Sequence, residues 1–206
     1  PYYHDELPPI QLDLEKARAL LTEAGWEDSD GDGTRDKVID GEPVEMKLNY
    51  LAGAGSQFAQ NLSLLLQDNF RKVGIDLEIS TKEFSVLVDD LKRRDFDLFG
   101  SGWGQSPVVD DPKQIWHTES DTPDGANRVG FGNAETDALI EELRTTLDPE
   151  QRRELYLEFQ EIVYEEQPYI FLFTPLERIA LSKRFEAESS VLRPGYFVNE
   201  FDLQIQ

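Results

Sequence analysis

The stretch AGWEDSDGDGTRDKVIDG, residues 24–41, sets carboxylates at Asp28, Asp30, Asp32 and Asp36 around Gly31 and Gly33. Oxygens on alternate residues followed by a glycine are what a backbone needs to wrap a hard cation such as calcium. Counted from Asp28, the ligand positions 1, 3 and 5 of a helix–loop–helix calcium site are aspartates, Gly33 stands at 6 and Asp36 at 9. Position 12, where a bidentate glutamate closes the coordination sphere, is Ile39, and no amphipathic helix follows. The pattern therefore departs from a calcium sensor. Two readings stay open: a Gly/Asp-rich turn joining a helix to a strand, or a looser structural calcium or sodium site.

Other chemistry is sparse. The two histidines, His4 and His117, lie far apart, with no H-x-x-x-H pair and no G-x-S-x-G elbow, so neither a zinc site nor a hydrolase triad can be assembled. Cysteine is absent, which excludes disulfides, thiolate metal sites and cysteine nucleophiles. GAGSQF, residues 53–58, imitates a phosphate-cradling turn, but Phe58 replaces the third glycine of a dinucleotide fingerprint and no lysine follows as in a P-loop. Carboxylate pairs abound, as chance supplies at this composition. No enzyme and no cofactor is expected beyond that structural calcium.

The 206 residues are enough to bury a sizeable core. With 42 acidic against 20 basic residues the formal net charge is −22, which repels phosphate backbones and anionic membrane surfaces, so no nucleic-acid partner is expected. The acids are dispersed along the chain. Dispersed carboxylates keep a surface hydrated while concentrated salt screens their repulsion, the pattern of a protein from a halophile. No apolar run reaches membrane-spanning length.

The elements that must position any site follow from periodicity. The opening PYYHDELPPIQLD reads as a linker cut from a longer protein. Asp13 caps a helix with Ala17, Leu20, Leu21 and Ala24 on one face, and Gly25 stops it. Residues 44–53 read as a strand. A helix from Ser56 is expected to bury Phe58, Leu62, Leu65, Leu66 and Val73, followed by a strand over 75–81 with Ile75, Leu77 and Ile79 alternating. A third helix carries Phe84, Leu87, Val88 and Leu91, and FDLFGSGW, 96–103, reads as a buried strand. Strand, helix, strand, helix, strand at these lengths predicts an α/β fold with a largely parallel sheet flanked by helices. After Trp103 a long Pro-, Gly- and Asp-rich segment leaves the carboxyl end of a parallel strand, where open α/β sheets bind ligands. Asn133 then caps a helix with Leu139, Ile140, Leu143 and Leu147 inward. Asp148, Pro149 and Gln151 start another that buries Leu155, Phe159, Ile162 and Val163. YIFLFTP and RIALS read as a strand pair, and the last twenty residues show no strong pattern.

Six motifs occur in a telling order: DLEKARALLTEAGWEDSDGDGTRDK, LLLQDNFRKVGIDLEI, RDFDLFGSGW, NRVGFGNAETDALIEEL, RRELYLEFQEIVYEEQPYIFLF and RPGYFVNEFDLQIQ. Together they resemble the C-terminal lobe of the family 5 extracellular solute-binding proteins, the peptide and nickel receptors of ABC importers. The resemblance covers almost the whole chain. It implies a periplasmic-binding-protein-like lobe over residues 13–192, a hinge segment over 1–12, and a tail over 193–206 returning toward the N-terminal lobe of the same parent chain. It also implies capture of an extracellular peptide between two lobes, delivery to a membrane permease, and a parent protein held outside the cytoplasm, anchored to the membrane. A sugar or nickel-complex receptor is the alternative within the fold, and a calcium-stabilised interaction domain the alternative outside it.

The resemblance places ligand contacts at the end of the expected strand. Trp103 offers a flat indole for a peptide or sugar, and equally reads as a core residue closing the sheet. In peptide-binding relatives an aspartate three residues on pairs with the ligand's α-amine; here that position is Ser106. Asp110 and Asp111, farther along the loop, are the residues that could substitute for it. Asn127 and Phe131 match a segment lining the cleft, although Asn127 could instead hold the loop's own backbone.

Overall fold

The computed structural model describes residues 2–104 and 111–174, together with 180, 182, 185–186 and 204–205. The chain forms two compact units. One, the sheet unit, comprises Asp5–Gly102 and Glu119–Gly130; the other, the helical unit, comprises Pro1–His4, Trp103–Thr118 and Phe131–Gln206.

The sheet unit opens with α1 (Leu14–Glu23), capped by the Asp13 carboxylate, which accepts from the Lys16 N–H at 2.9 Å. Gly25, at φ +85°, ends it in the left-handed region that glycine enters without steric cost. A hairpin follows, β1 (Asp36–Ile39) antiparallel to β2 (Glu42–Glu45). Strand β3 (Lys47–Gly53) then pairs in parallel with β4 (Asp76–Lys82) on one side and β5 (Leu98–Phe99) on the other, in the order β4-β3-β5. The crossovers are α2 (Gln57–Arg71), capped by Ser56, and α3 (Phe84–Arg93). Tyr50, Ala52 and Leu77 form the core of one sheet face, with Leu48, Leu66, Phe70, Ile79 and Leu98 packed around them. A Cβ on Gly53, in β3, would stand 3.8 Å from the Leu87 side chain of α3. The parallel α/β architecture expected from the sequence is thus present.

Three details differ from expectation. Residues 44–53 divide between the hairpin and β3, because Met46 N donates to Arg35 O and the chain changes partner there. On α2, Phe58 and Leu65 are 55% and 57% exposed, on α3 Phe84 faces outward too, and the buried α2 residue is Ser63, whose hydroxyl bonds back to Ala59 O at 2.7 Å. The expected strand over 96–103 shortens to Leu98–Phe99, flanked by Asp97 N donating to Asn49 O and Gly100 N to Leu51 O.

In the helical unit, α4 (Lys113–Trp116) is one short turn. Helix α5 (Ala134–Thr145) begins in a capping box: Asn133 Oδ1 accepts from Glu135 and Thr136 N–H groups while Thr136 Oγ1 accepts from Asn133 N. Helix α6 (Pro149–Glu166) starts from Asp148 with proline in its first turn. Phe131, Leu139, Ile140, Leu143, Phe159 and Val163 make the core between them. Leu147, expected inward, lies beyond the end of α5 and is 90% exposed. Residues 169–174 form no strand; of the expected partner strand only 180 and 182 are described, and neither is in a ladder. A short pair, β6 (Phe185–Glu186) with β7 (Gln204–Ile205), is antiparallel. The N-terminal segment, read as a linker, is fastened to α6: Tyr2 stacks on Tyr156 at 4.9 Å, Gln160 bonds Tyr2 O and His4 N, and His4 Nε2 lies 3.0 Å from Glu161.

Candidate ligand-binding site

The Asp-Gly loop brings three of its four carboxylates together. Asp28, Asp30 and Asp32 each offer an oxygen within 4.8 Å of the others, all exposed. The same oxygens already serve the loop: Asp28 accepts from Gly31 and Gly33 N–H groups, Asp30 from Asp32 N–H and Asp32 from Thr34 N–H. Gly31 and Gly33 take φ of +79° and +97°, which lets successive N–H groups turn inward. Asp36, counted with the others in the sequence, faces elsewhere. It accepts from Ser29 Oγ at 2.7 Å and Ser29 N at 2.8 Å, and these bonds hold its pKa below the usual carboxylate value.

Beside this loop, in the same unit, an open cavity of about 380 Å³ is lined by Arg18, Arg35, Arg71, Lys72, Glu27 and Asp28 among others. The cations are there to serve the carboxyl end of α2. Arg18 donates twice to Lys72 O; Arg35 donates to Val73 O at 2.8 Å and to Trp26 O at 2.6 Å; Arg71 and Lys72 pair with Asp68. Positive groups complete the unpaired carbonyls and oppose the negative end of the helix dipole.

Of the described residues expected at a ligand, Asp111 and Trp103 are exposed. Trp103 belongs to the helical unit and is 49% exposed. Ser106 and Asp110 lie outside the described residues. Asp111 is engaged on both oxygens, accepting from Lys113 N and from Arg144 Nε, each at 3.0 Å. Arg144 in turn is held charged by Asp111 and Glu141, and Glu141 has its pKa lowered chiefly by Lys113 and also by Arg144. A ligand ammonium approaching Asp111 would compete with Arg144 for its carboxylate.

Asn127 and Phe131, expected along the cleft, are interior instead. Asn127 is 0% exposed; its N–H donates to Ser120 O and its carbonyl accepts from Arg94 at 2.7 Å, so it fastens the loop to the end of α3. Arg94 also pairs with Asp121, and Lys92 with Asp124. Phe131 is 7% exposed and meets Trp116 edge-on at 5.2 Å. Sequence reasoning missed Tyr169, whose ring lies 4.7 Å from Trp116 and which neighbours Trp103. Its place in an apolar run gave no signal that its hydroxyl is buried. His117 is also buried, with Asp137 at 3.4 Å and Glu141 at 3.6 Å from its ring nitrogens.

Comparison with known proteins agrees with the fold. The family model of bacterial extracellular solute-binding proteins, family 5 middle, matches residues 1–126. The oligopeptide-binding protein AppA of Bacillus subtilis is 31% identical over 183 residues, 88% of this chain and 33% of AppA. The nickel-binding periplasmic protein of Escherichia coli is 27% identical over 82% of this chain and 32% of its own length. The chain thus spans about a third of the length of these curated relatives. The structure of AppA in complex with a nonapeptide superposes with a TM-score of 0.81 and 26% identity, over 100% of this chain and 40% of AppA. The oligopeptide-binding protein of Thermus thermophilus with a pentapeptide gives 0.72 and 25%, over 82% and 30%. No helix among the described residues is long and apolar enough to cross a membrane. From matched profile, sequence and fold alike, the chain belongs to the family 5 bacterial extracellular solute-binding proteins.

Proposed function

We propose that this chain is the C-terminal lobe of the substrate-binding component of an ABC importer, which captures extracellular peptides between two lobes and passes them to a membrane permease. One observation carries the reading: the superposition on peptide-bound AppA extends over the whole chain. Trp103 adds to it, because a half-exposed indole just past a parallel strand is a ready surface for packing on a ligand. In this reading the protein binds without turnover, the parent is held outside the cytoplasm by a membrane anchor, and the Asp-Gly loop is scaffold.

The test is native mass spectrometry of the full-length protein that carries this chain, purified in molar salt. A ladder of co-purifying short peptides is the expected result. A nickel complex as the sole bound species would overturn the peptide reading and favour the second one, which rests on the similarity to the nickel-binding protein.

A further inference from the structure

Within the helical unit the aromatic residues form a graded series. Phe131 and Phe159 are core, and Trp116 meets them edge-on at 5.2 and 6.0 Å. Tyr169 lies against Trp116 at 4.7 Å with its plane tilted by 40°. The Tyr169 ring is thereby fixed from behind by packed neighbours. Its hydroxyl oxygen, however, is buried and has no well-formed hydrogen bond among the described residues. Burial raises the phenol's pKa, and the neighbouring Trp103 side chain works in the opposite direction, as a nearby N–H donor does. A buried hydroxyl left without a partner costs free energy, and an indole N–H beside it is the natural donor to complete it.

We propose that Tyr169 is a positioning residue for Trp103: its buried hydroxyl accepts the Trp103 indole N–H when a solute packs on the exposed indole, fixing the plane on which the solute rests. The inference rests on the reading of Trp103 as a solute contact. It assigns roles that the sequence did not reveal: Phe131 and Trp116 act as the support of Tyr169, and Tyr169 sets the indole without itself touching the solute. Preorganising a flat contact surface in this way reduces the ordering cost of binding and acts mainly on the dissociation rate.

The experiment uses the full-length protein labelled with 5-fluorotryptophan, with a nonapeptide and a tetrapeptide as probes. The Trp103 resonance is identified by its loss in Trp103→Phe. In Tyr169→Phe, which keeps the ring and removes the hydroxyl, the expected result is a shifted Trp103 resonance with an unchanged Trp26 resonance. Peptide dissociation is expected to become roughly 3–10-fold faster, the worth of one net hydrogen bond. In the Trp103→Phe background, where no N–H remains, Tyr169→Phe should have no further effect. An equal effect in both backgrounds, or an unmoved Trp103 resonance, would overturn the proposal. If Trp103→Ala leaves peptide binding intact, the binding role of Trp103 fails and with it this role of Tyr169, whatever the resonance shows. If Trp103→Ala weakens binding and Tyr169→Phe does not, only the positioning role fails.

Discussion

At the scale of single residues, Arg35 is the clearest case of a side chain whose work is invisible in sequence. It reads as one more charge in an acidic loop, yet its guanidinium joins Thr22, Trp26 O and Val73 O, tying the end of α1 to the end of α2. Gly74 lets it pass. That residue has φ +84°, and a Cβ there would stand 2.8 Å from Arg35 Cγ. Gly74→Ala therefore meets two penalties, a left-handed backbone costing about 1–2 kcal/mol and displacement of Arg35 from its carbonyls. Gly41, at φ +89° with open space around it, meets only the first. Urea denaturation should show Gly74→Ala clearly more destabilised than Gly41→Ala. Equal losses would mean that Arg35 moves aside freely. The same blindness to tertiary partners explains the ligand residues. Type and neighbourhood marked Asn127 and Phe131 as suitable for a cleft, but sequence does not distinguish such residues from a buried one whose backbone fastens a loop or a ring that fills a core. Asp111 looked available because its partner Arg144 lies on another element, 33 residues away.

At the scale of elements, what was legible is what is local. Asp13, Ser56, Asn133 and Asp148 each cap the helix that follows, as their residue types and positions imply. The βαβ order followed from the alternation of Ile75, Leu77 and Ile79 between two helical periods. The hairpin of β1 and β2 was not legible, because EPVE and DKVI bury almost nothing and so carry no alternation. Helical stripes were legible in period but not in direction: an apolar stripe on α2 that includes Phe58 and Leu65 faces outward while Ser63 faces in. The capping box of α5 gives the sharpest element-level expectation. Asn133→Ala removes the acceptor of two N–H groups and should cost about 1 kcal/mol, with Asn133→Asp or Asn133→Ser restoring most of it. Thermal melts of the three variants decide this. A silent alanine variant would show that α5 is held by Ile140 and Leu143 in the core alone. Leu147, exposed beyond the end of α5, should by contrast tolerate glutamine with no loss.

At the scale of the whole molecule, charge governs how the fold answers to its solvent, and two effects separate by their pH and salt dependence. Asp36, Asp68, Asp124 and Glu141 all have folded pKa values lowered by hydrogen bonds, from Ser29, Lys72, Lys92 and Lys113 respectively. A carboxylate whose folded pKa is depressed contributes stability that is present above its unfolded pKa, near 4, and is lost as pH falls through the folded value. Acid unfolding should therefore set in below about pH 4, and Ser29→Ala, which removes the side-chain donor but keeps the backbone one, should lessen the part due to Asp36. The second effect is repulsion within a chain of net charge −22. The Debye length falls from roughly 10 Å at 0.1 M to about 3 Å at 1 M salt, so added salt removes repulsion between dispersed carboxylates while leaving the short contacts of Asp68 with Lys72, at 2.6 Å, largely in place. We infer a fold adapted to high salt: at pH 7 the melting temperature should rise steadily between 0.1 and 3 M potassium chloride, and near the isoelectric point of about 4.3, where positive and negative charges balance, the rise should shrink. A melting temperature indifferent to salt at pH 7 would sink the inference. A rise of the same size at both pH values would assign the effect to apolar burial instead of net charge, since exclusion of salt from apolar surface does not depend on the balance of charges.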